Sequence, residues 1–424
     1  MAPDSRKFRI LVVPSDRSGV SWSFFRSTIP HMYLEEKYPD LFSIDIDYEP
    51  DLSNDNFLKQ YDLIHYHRTL GSYETMEDTL RRLKSFNIPS IMDIDDHWAP
   101  GQHHPAYLVI KNNQLDKKIL NNVKLADNIT TTTPLFAAEI SKVNKNVFVL
   151  PNAINQNESQ FIPSPEQSNR IRFGFIGGSS HLHDLKILNG LVNKLKSEGY
   201  MDKIQFVLCG YDLRGNMTVI DEKTGTQTQR PIKPTESVWY EYEKIFTDNY
   251  STVSPEYKEF LLKFKNEEYP NVANEPYRRV WTKPITSYAT GYNLFDVSLV
   301  PLEENNFNYV KSQLKCVEAG FHKKAIVAQN YGPYTIDLKN IIMFGGEIDK
   351  TGNAILIDTK KNHKDWFTTI KKLVNNPELI KIMGENLHKD ITSKYSLDAV
   401  SESRKDLYLN LINKWEYHFY YFYF

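Results

Sequence analysis

Residues 172–185 read RFGFIGGSSHLHDL: an apolar run stops at two glycines, and a helical pattern follows. The apolar run predicts a buried strand, which puts Gly177 and Gly178 just past its carboxyl end. Ligands of parallel sheets bind at the carboxyl ends of the strands, and glycine lets the backbone approach a ligand closely. The stretch therefore predicts either a loop that holds a diphosphate or a plain tight turn with Asp184 or His183 near a helix N-cap.

Polar groups beside the glycine pair fit the interpretation of this stretch as a loop that holds a diphosphate. Ser179, Ser180 and His181 can each hydrogen-bond to a bound anion. Residues 184–198 carry leucines at helical spacing, and the amide groups and positive dipole end of such a helix favour a phosphate. The glycine spacing matches neither the dinucleotide-binding fingerprint nor the P-loop.

Similar apolar runs alternate with helical patterns along the chain. This alternation, with right-handed crossovers, predicts doubly wound and mostly parallel sheets, so the expected fold class is α/β. The first series contains FRILVVP (8–14), IDIDYEP (44–50), YDLIHYH (61–67), PSIMDID (89–95), DNITTTT (127–133) and NVFVLPN (146–152). The second contains IRFGFIG (171–177), KIQFVLCG (203–210), NLFDVSLVPL (293–302) and KAIVAQ (324–329).

A polar segment with two prolines, at 153–169, separates the two series and predicts a linker. We expect a first α/β domain at 1–155, a second at 170–395, and a terminal helix at 396–424 that no strand follows. Residues 211–280 form an elaborated region of the second domain. Within that domain, helices are expected at 184–198, 311–321, 363–375 and 377–390.

The composition excludes several classes of protein. The 424 residues are 41% hydrophobic and 25% charged with a net charge of -2, so no overall field recruits nucleic acid. Cys209 and Cys316 lie in apolar runs, which favours buried thiols in a reducing compartment. Without a signal peptide or a spanning segment, a cytoplasmic location is expected. The end, WEYHFYYFYF (415–424), predicts either a packing helix or an interfacial anchor on the inner face of the membrane.

The segment 305–329, NNFNYVKSQLKCVEAGFHKKAIVAQ, predicts a helix followed by a strand. Lys311, Lys315 and Glu318 are four and three residues apart, so they would share one helix face. Lysine suits a phosphate and glutamate suits paired ribose hydroxyls, so this face could bind a nucleotide. A solvated face with one ion pair is the alternative.

Three carboxylates in DIDDHW (93–98) follow a strand of the first domain. They predict a divalent-metal site, a general base or a strand-end turn in which Asp96 is a cap. Arg278 is a candidate for contact with an anion or for a surface pair. The histidine pairs at 103–104 and 181/183 lack partners at zinc-like spacing, so no metal is expected there.

Three of these stretches together resemble the bacterial GT-B glycosyltransferases, in particular those related to the large retaining family 4. They are LADNITTTTPLFAAEISKVNKNVFVLPNAIN (125–155), GFIGGSSHLHDL (174–185) and FDVSLVPLEENNFNYVKSQLKCVEAG (295–320). The resemblance implies two Rossmann-like domains that face a cleft, with the donor bound by the second domain, the acceptor by the first, and the terminal helix crossing back. It also implies metal-independent transfer, with amides and basic side chains stabilising the leaving diphosphate.

The resemblance also implies roles for individual residues. Glu318 matches the glutamate that binds ribose, and Lys311 and Lys315 lie where a phosphate or donor sugar is contacted. The family's earlier glutamate would fall at Val310 and is absent, which leaves the retaining outcome open. The diphosphate loop would be formed by Gly177, Gly178, Ser179, Ser180 and His181. Arg278 is a further donor contact, and Asp95 and Asp96 are the catalytic candidates.

The expected function is transfer of a hexose-type sugar from a nucleotide-diphosphate sugar to a glycan, lipid-linked or polymer acceptor, in surface polysaccharide synthesis. The expected partners are the donor, the acceptor and the membrane surface, with no nucleic acid. No cofactor is expected beyond the donor substrate. The alternatives are a glycan- or protein-binding module without turnover, and a nucleotide-sugar epimerase.

Overall fold

The computed structural model describes residues 6–15, 24–212, 216–220, 227–233, 236–247, 255, 259, 275–344, 347–348, 351–359 and 362–421. The chain forms two compact units. The first unit consists of Met1–Gln156, Asn305–Leu314 and Ser393–Phe424, and the second of Asn157–Glu304 and Lys315–Thr392. The sequence assigned residues 305–314 to the second domain, whereas the structure assigns them to the first unit.

Six parallel strands form the sheet of the first unit, in the order β2-β1-β3-β4-β5-β6. Each overlaps one of the six runs of the first series, although β2 begins two residues before its run and ends four residues before the end of it, so the predicted parallel sheet is confirmed. Both faces of such a sheet are covered, which explains the continuous apolar runs of strands such as β1. The strands are β1 (Phe8–Val13), β2 (Phe42–Ile46), β3 (Leu63–His67), β4 (Ser90–Ile94), β5 (Asn128–Thr131) and β6 (Val147–Val149).

Two apolar clusters cover the two faces of this sheet. Ile64 and Met92 belong to one of them, which includes residues of the helix Met76–Ser85. Leu63 and Ile91 belong to the other. The remaining helices of the first unit are Ile29–Lys37, Asp55–Leu58, Tyr107–Asn112, Leu115–Leu125, Pro134–Ile140, Asn306–Tyr309 and Leu397–Tyr421, with a π-helical turn at Phe24–Thr28.

The second of these faces becomes polar toward the carboxyl ends of β3 and β4. Side chains two residues apart on a strand point to the same face. His67 is therefore on the face of Leu63, and Asp93 is on the face of Ile91. The register pairs His67 with Asp93, so titratable residues of both strands meet at this level of the sheet.

The last helix, Leu397–Tyr421, covers this same face of the first sheet. Its residues Leu407, Tyr408 and Leu411 belong to the cluster of Leu63 and Ile91. The side chains of 414–421 and all of 422–424 lie outside the described residues, so the packing and anchoring interpretations of the aromatic end both stay predictions. Among the helices that the structure describes, none has the length and apolar character needed to cross a bilayer.

The second unit also contains a six-stranded parallel sheet, in the order β11-β8-β7-β12-β13-β16. Short antiparallel pairs, β9 with β10 and β14 with β15, lie outside it. The strands are β7 (Ile171–Ile176), β8 (Ile204–Tyr211), β9 (Asn216–Ile220), β10 (Gln227–Pro231), β11 (Tyr277–Trp281), β12 (Val297–Val300), β13 (Ala325–Gln329), β14 (Met343–Phe344), β15 (Glu347–Ile348) and β16 (Ile355–Ile357). In the described part of this unit the α-helices are Leu182–Leu185, Leu191–Ser197, Val238–Thr247, Leu314–Phe321, Lys364–Asn375 and Glu378–Tyr395. The 3-10 helices there are Ser159–Phe161, Ser179–His181, Lys186–Leu188, Tyr288–Leu294 and Gly332–Thr335.

Part of the elaborated region at 211–280 is described, and it extends the second sheet. Its strand β11 pairs with β8 at the edge of that sheet. The helix Val238–Thr247 contributes Tyr242 and Phe246 to the core. Residues 213–215, 221–226, 234–235, 248–254, 256–258 and 260–274 lie outside the described residues.

The single helix predicted over 184–198 is wrong. A 3-10 turn at Ser179–His181 and a four-residue helix, Leu182–Leu185, come first, and the helix Leu191–Ser197 starts separately. Gly190 interrupts the helical path because its φ is +84°, in the left-handed region. The loop is thus followed by short turns, and the long helix dipole expected to favour a phosphate is not formed there.

The helix predicted over 311–321 begins only at Leu314. Lys311 lies in the non-helical stretch before it and belongs to the first unit, so it does not share a helix face with Lys315 and Glu318. Val310 packs into the apolar core of the first unit, where Thr133 Oγ1 donates to its carbonyl oxygen at 3.5 Å. An apolar residue at 310, where the resembling family has glutamate, therefore fills a core.

Substituting this core valine tests whether the side chain of Val310 is buried. Val310 is 2% exposed and its neighbour Tyr309 is 43% exposed. Val310→Glu should lower the free energy of unfolding by about 3–5 kcal/mol because it buries an unpaired charge. Tyr309→Glu should change it by under about 0.5 kcal/mol. Urea unfolding of both variants measures the difference, and equal stabilities would place Val310 at the surface.

Candidate functional site

Two clusters of polar residues lie at the carboxyl ends of strands, one in each unit. The first-unit cluster contains Ser15, His67, Arg68, Asp95 and Asp96. Ser15 follows β1, His67 ends β3, and Asp95 follows β4. Because β1, β3 and β4 are parallel neighbours, their carboxyl ends meet at one edge of the sheet.

Asp95 is the centre of the first-unit cluster. Its Oδ1 accepts hydrogen bonds from Arg68 Nη2 at 2.9 Å and from His67 Nε2 at 3.1 Å. With Nε2 donating to the carboxylate, the other ring nitrogen, Nδ1, is the acceptor of a neutral imidazole, and Ser15 Oγ lies 2.7 Å from it. Asp95 thus holds His67 in the tautomer that can take up a proton at Nδ1.

The surroundings of the adjacent carboxyl groups of Asp95 and Asp96 shift their pKa values in opposite directions. Burial alone raises the pKa of Asp95, but the charge of Arg68 and the hydrogen bonds donated by His67 and Arg68 outweigh burial and hold this pKa well below its usual range. Burial and the negative charge of Asp95 raise the pKa of Asp96, which Arg68 and Lys311 offset only in part. Asp96 therefore retains a proton more readily than Asp95 does, and the two groups suit different tasks.

Arg68 holds an unusual backbone conformation beside these carboxylates. Its φ of +60° is in the left-handed region, which a residue with a side chain seldom adopts. Asn122 Nδ2 donates to its carbonyl oxygen at 3.1 Å, and Arg68 N donates to Asp93 O at 3.0 Å. The guanidinium reaches both Asp95 and Asp96, at 2.9 and 3.9 Å. The positive charge of Arg68 therefore compensates the negative charge of both carboxylates.

A buried ion pair lies behind the first-unit cluster. Arg26 Nε and Nη2 donate to the two oxygens of Asp93 at 3.0 and 2.5 Å, and neither side chain is more than 3% exposed. Arg26 Nη1 donates to Leu150 O at 2.7 Å, and Thr130 Oγ1 donates to Asp93 at 2.7 Å. The pair fixes the end of β4 two residues before Asp95.

The second-unit cluster contains Gly177, Gly178, His181, Lys315 and Glu318. Lys315 Nζ donates to the carbonyl oxygen of Ile176, at the end of β7. A Cβ at position 177 would lie 2.8 Å from this ammonium nitrogen, so glycine leaves the space that Lys315 occupies. Nothing lies within 4 Å of a Cβ built at Gly178. A lysine charge and an open backbone loop therefore meet at one strand end.

Another glycine, in the neighbouring strand β8, allows the loop of the second-unit cluster to pack closely against that strand. Gly210, in β8, has a φ of +101°, and a Cβ there would lie 2.6 Å from the carbonyl oxygen of Gly177. Only glycine lets the two backbones approach this closely without strain. The position of Gly177 thus depends on Gly210, which the sequence did not single out.

His181 is oriented by a buried carboxylate. Its Nδ1 lies 2.7 Å from Asp184 Oδ2, and the other oxygen of Asp184 accepts from Glu303 N at 2.8 Å. Tyr242 Oη lies within hydrogen-bond distance of both His181 N and Gly178 O. The expected partners Ser179 and Ser180 form the 3-10 turn with His181, Ser179 being exposed.

Glu318 lies one helical turn beyond Lys315 and is 4% exposed. Its Oε2 accepts from Tyr292 Oη at 2.8 Å, and its Oε1 accepts from Tyr288 Oη. Burial raises the pKa of the Glu318 carboxyl, and the two phenols and Lys315 counteract that rise only in part. The side chain expected to bind ribose hydroxyls is therefore already in contact with two hydroxyl donors.

The other two residues that the sequence predicts to bind the sugar donor, Arg278 and Lys311, do not belong to the second-unit cluster. Arg278 is on the edge strand β11, where its Nη1 donates to Glu166 at 2.5 Å. Lys311 belongs to the first unit, where its charge acts on Asp96 and its Nζ lies 5.0 Å from the ring centre of Phe307. The structure thus groups Lys315 and Glu318 with the glycine loop in the second unit, and groups Lys311 with the aspartates in the first unit.

Sequence reasoning missed His67, Arg68 and Arg26. His67 was included only as the last residue of a strand in YDLIHYH. A usable signal existed, because a histidine that ends one strand and an aspartate that follows the next strand share the carboxyl edge of a parallel sheet. The missing information was which strands are neighbours.

No protein-family model matches the chain, and no curated protein matches its sequence. Solved structures do share its fold. Alr3699/HepE of Anabaena, in complex with UDP and glucose, is 9% identical, has a TM-score of 0.55 and covers 95% of this chain and 99% of its own. The catalytic domain of starch synthase IV from Arabidopsis thaliana, bound to ADP and acarbose, is 10% identical, has a TM-score of 0.57 and covers 96% and 100%.

A UDP-forming α,α-trehalose-phosphate synthase from Burkholderia vietnamiensis is 8% identical, with a TM-score of 0.57 and coverage of 94% and 96%. The chain has the GT-B glycosyltransferase fold. The predicted fold class is confirmed by the two parallel six-stranded sheets together with these likenesses. The relation of this GT-B chain to the retaining family 4 stays a prediction.

Removing the charge of Arg68 tests whether Arg68 lowers the pKa of Asp95 in the folded protein. The depressed pKa of Asp95 in the folded state stabilises the protein above the unfolded value of about 3.9, and this contribution is lost as the pH falls through the folded pKa. Arg68→Met should therefore cost about 1–3 kcal/mol at pH 7 and progressively less below pH 4. Urea unfolding across this range measures it. Arg81→Met, at an exposed pair with Asp78, is the control, and a pH-independent loss would mean that Arg68 acts only through packing.

The support of the glycine loop can be tested with two matched glycines. Gly210 and Gly199 both have positive φ, but nothing lies within 4 Å of a Cβ built at Gly199. Gly210→Ala should destabilise the protein by about 1–3 kcal/mol more than Gly199→Ala does, because only the first clashes with Gly177. Chemical unfolding gives the two values. Equal losses would show that the positive φ alone requires glycine at position 210.

Proposed function

We propose that the protein is a glycosyltransferase that moves a hexose-type sugar from a nucleotide-diphosphate sugar to a hydroxyl of a glycan, lipid-linked or polymer acceptor. The observation that carries the proposal is the second-unit cluster. An open glycine loop, a lysine ammonium and a buried carboxylate lie together at the end of β7, in a chain with the GT-B fold.

The second-unit cluster is suited to the nucleotide end of such a donor. Lys315 and the amides around Gly177 and Gly178 would bind the diphosphate, and Glu318 would bind the ribose hydroxyls. The same groups would stabilise the negative charge that develops on the diphosphate as it leaves, without requiring a metal. The structures of HepE with UDP-glucose and of starch synthase IV with ADP support this assignment at the level of the fold.

The first-unit cluster is suited to activating the acceptor. In the proposed step the acceptor hydroxyl takes the place of Ser15 Oγ and gives its proton to His67 Nδ1. Its oxygen forms a bond to the anomeric carbon as the bond from that carbon to the diphosphate oxygen breaks, and the electron pair leaves with the diphosphate. Asp95 stabilises the imidazolium that forms. Direct displacement of this kind inverts the anomeric centre.

Asp96 and Lys311 would complete the acceptor side. Asp96 is more exposed than Asp95, with 41% of its side chain accessible, and its carboxylate oxygens can accept hydrogen bonds from sugar hydroxyls. Lys311 adds a positive charge beside it. Such a pair suits the hydroxyls of a carbohydrate, in keeping with a role in the synthesis of a surface polysaccharide.

A two-part binding and turnover experiment tests the proposal. Thermal unfolding with UDP, GDP, dTDP, CMP and ADP, without and then with magnesium, should show stabilisation by at least one diphosphate. Lys315→Met should weaken that binding about tenfold or more, since it removes a charge from the phosphates. Lys371→Met, at an exposed ion pair of the same unit, should leave it unchanged.

Turnover of the matching nucleotide sugar separates the two clusters. His67→Asn and Asp95→Asn should reduce kcat about 100-fold or more and leave the affinity for the nucleotide within about twofold. The product should have the inverted anomeric configuration. Nucleotide binding without turnover in the wild type would favour the binding module, and no binding by any nucleotide would overturn the proposal.

A further inference from the structure

Glu318 is closed off by two tyrosines that differ in how firmly they are held. Tyr292 is fully buried, and its ring stacks on His322 at 5.0 Å between centroids and 21° between planes. It also packs against Phe295, 5.3 Å away. Tyr292 therefore cannot leave Glu318 without a rearrangement of the core.

Tyr288 reaches Glu318 from a more exposed position. It is only partly buried and is the first residue of the 3-10 helix Tyr288–Leu294, which also contains Tyr292. The turn at 282–287 directly precedes it, and Lys283, Pro284 and Thr286 in that turn are exposed. Its backbone N–H donates to the carbonyl of Pro284 at 2.9 Å. Of the two phenols on Glu318, that of Tyr288 is the one that can move aside through local motion of this turn.

The chemistry at Glu318 is that of a carboxylate occupied by two hydroxyl donors. Burial raises the pKa of Tyr288 and of Tyr292 well above the usual range, and the charge of Glu318 adds to this, so both phenols keep the proton that they donate. The vicinal hydroxyls of a ribose offer the same kind of donor. With Glu318 only 4% exposed, a ribose has to displace one of the phenols to reach it.

We propose that Tyr288 is an exchangeable latch on Glu318, whose phenol holds the carboxylate until the ribose of a nucleotide takes its place. This inference rests on the proposed function, because it assumes that the second unit binds the nucleotide. The latch makes Glu318 available only to a ligand that replaces the lost hydrogen bond. It therefore lowers the affinity for ribonucleotides, which have to displace the phenol, and leaves the affinity for nucleotides without ribose hydroxyls unchanged.

The test is to remove the phenol hydroxyl and keep the ring. In Tyr288→Phe the free protein has lost a hydrogen bond that the ribose can restore, so UDP or ADP should bind about tenfold more tightly than to the wild type. The 2′,3′-dideoxy forms of the same nucleotides cannot restore the bond, so their affinity should be unchanged. Isothermal titration calorimetry with the four ligands measures both effects.

Tyr292→Phe is the matched control, because it removes the other phenol from Glu318 without opening a path to it. This variant should lower the melting temperature, as Tyr288→Phe does, without tightening the binding of UDP or ADP. Unchanged or weaker ribonucleotide binding by Tyr288→Phe, or equal changes for the ribo and dideoxy forms, would overturn the latch while leaving the donor site in place. Failure of the wild type to bind UDP, ADP or any other nucleotide of the panel would overturn the donor site itself and the latch with it.

Discussion

The buried ion pair between Arg26 and Asp93 supports the arrangement of the first unit. Its two partners are 67 residues apart, and together they tie the segment before the helix Ile29–Lys37 to the ends of three strands. Asp93 belongs to β4, Thr130 to β5, and Leu150 follows β6. Loss of either partner would leave a charge unpaired in a low-dielectric interior, an effect of about 3–5 kcal/mol. Because Asp95 lies two residues beyond Asp93, the same pair fixes the position of the group that orients His67.

The two clusters use the edge of a parallel sheet in different ways. In the first unit, side chains of opposite charge are packed around Asp95, so that adjacent carboxyl groups have pKa values shifted in opposite directions. Such an arrangement suits proton transfer. In the second unit, the backbone itself is made accessible by Gly177 and Gly178, and a single lysine contributes the charge. That arrangement suits the binding of an anion whose charge must be stabilised without proton transfer.

Strands such as β1, β7 and β13 were predictable because each is a largely apolar run, and the period of two along β3 and β4 already places His67 and Asp95 on one face. The glycine loop was predictable for the same reason, since it directly follows such a run. The break at Gly190 was not, because the leucine spacing continues across it and the left-handed φ of Gly190 is seen only in the structure. Local sequence patterns also could not assign Lys311 to the first unit. Its neighbour Val310 belongs to the core of that unit, and only tertiary packing reveals this.

The first unit is assembled from three separate stretches of the chain, and this has a consequence for how the molecule can be divided. A fragment that ends at Gln156 would contain all six strands of the sheet but neither Val310 nor the helix Leu397–Tyr421. The apolar face that includes Leu63 and Ile91 would lose the cover of Tyr408 and its neighbours and would be open to aggregation. The unit that carries His67 and Asp95 therefore cannot be exchanged between proteins as one uninterrupted gene segment, so recombination would have to preserve the whole chain.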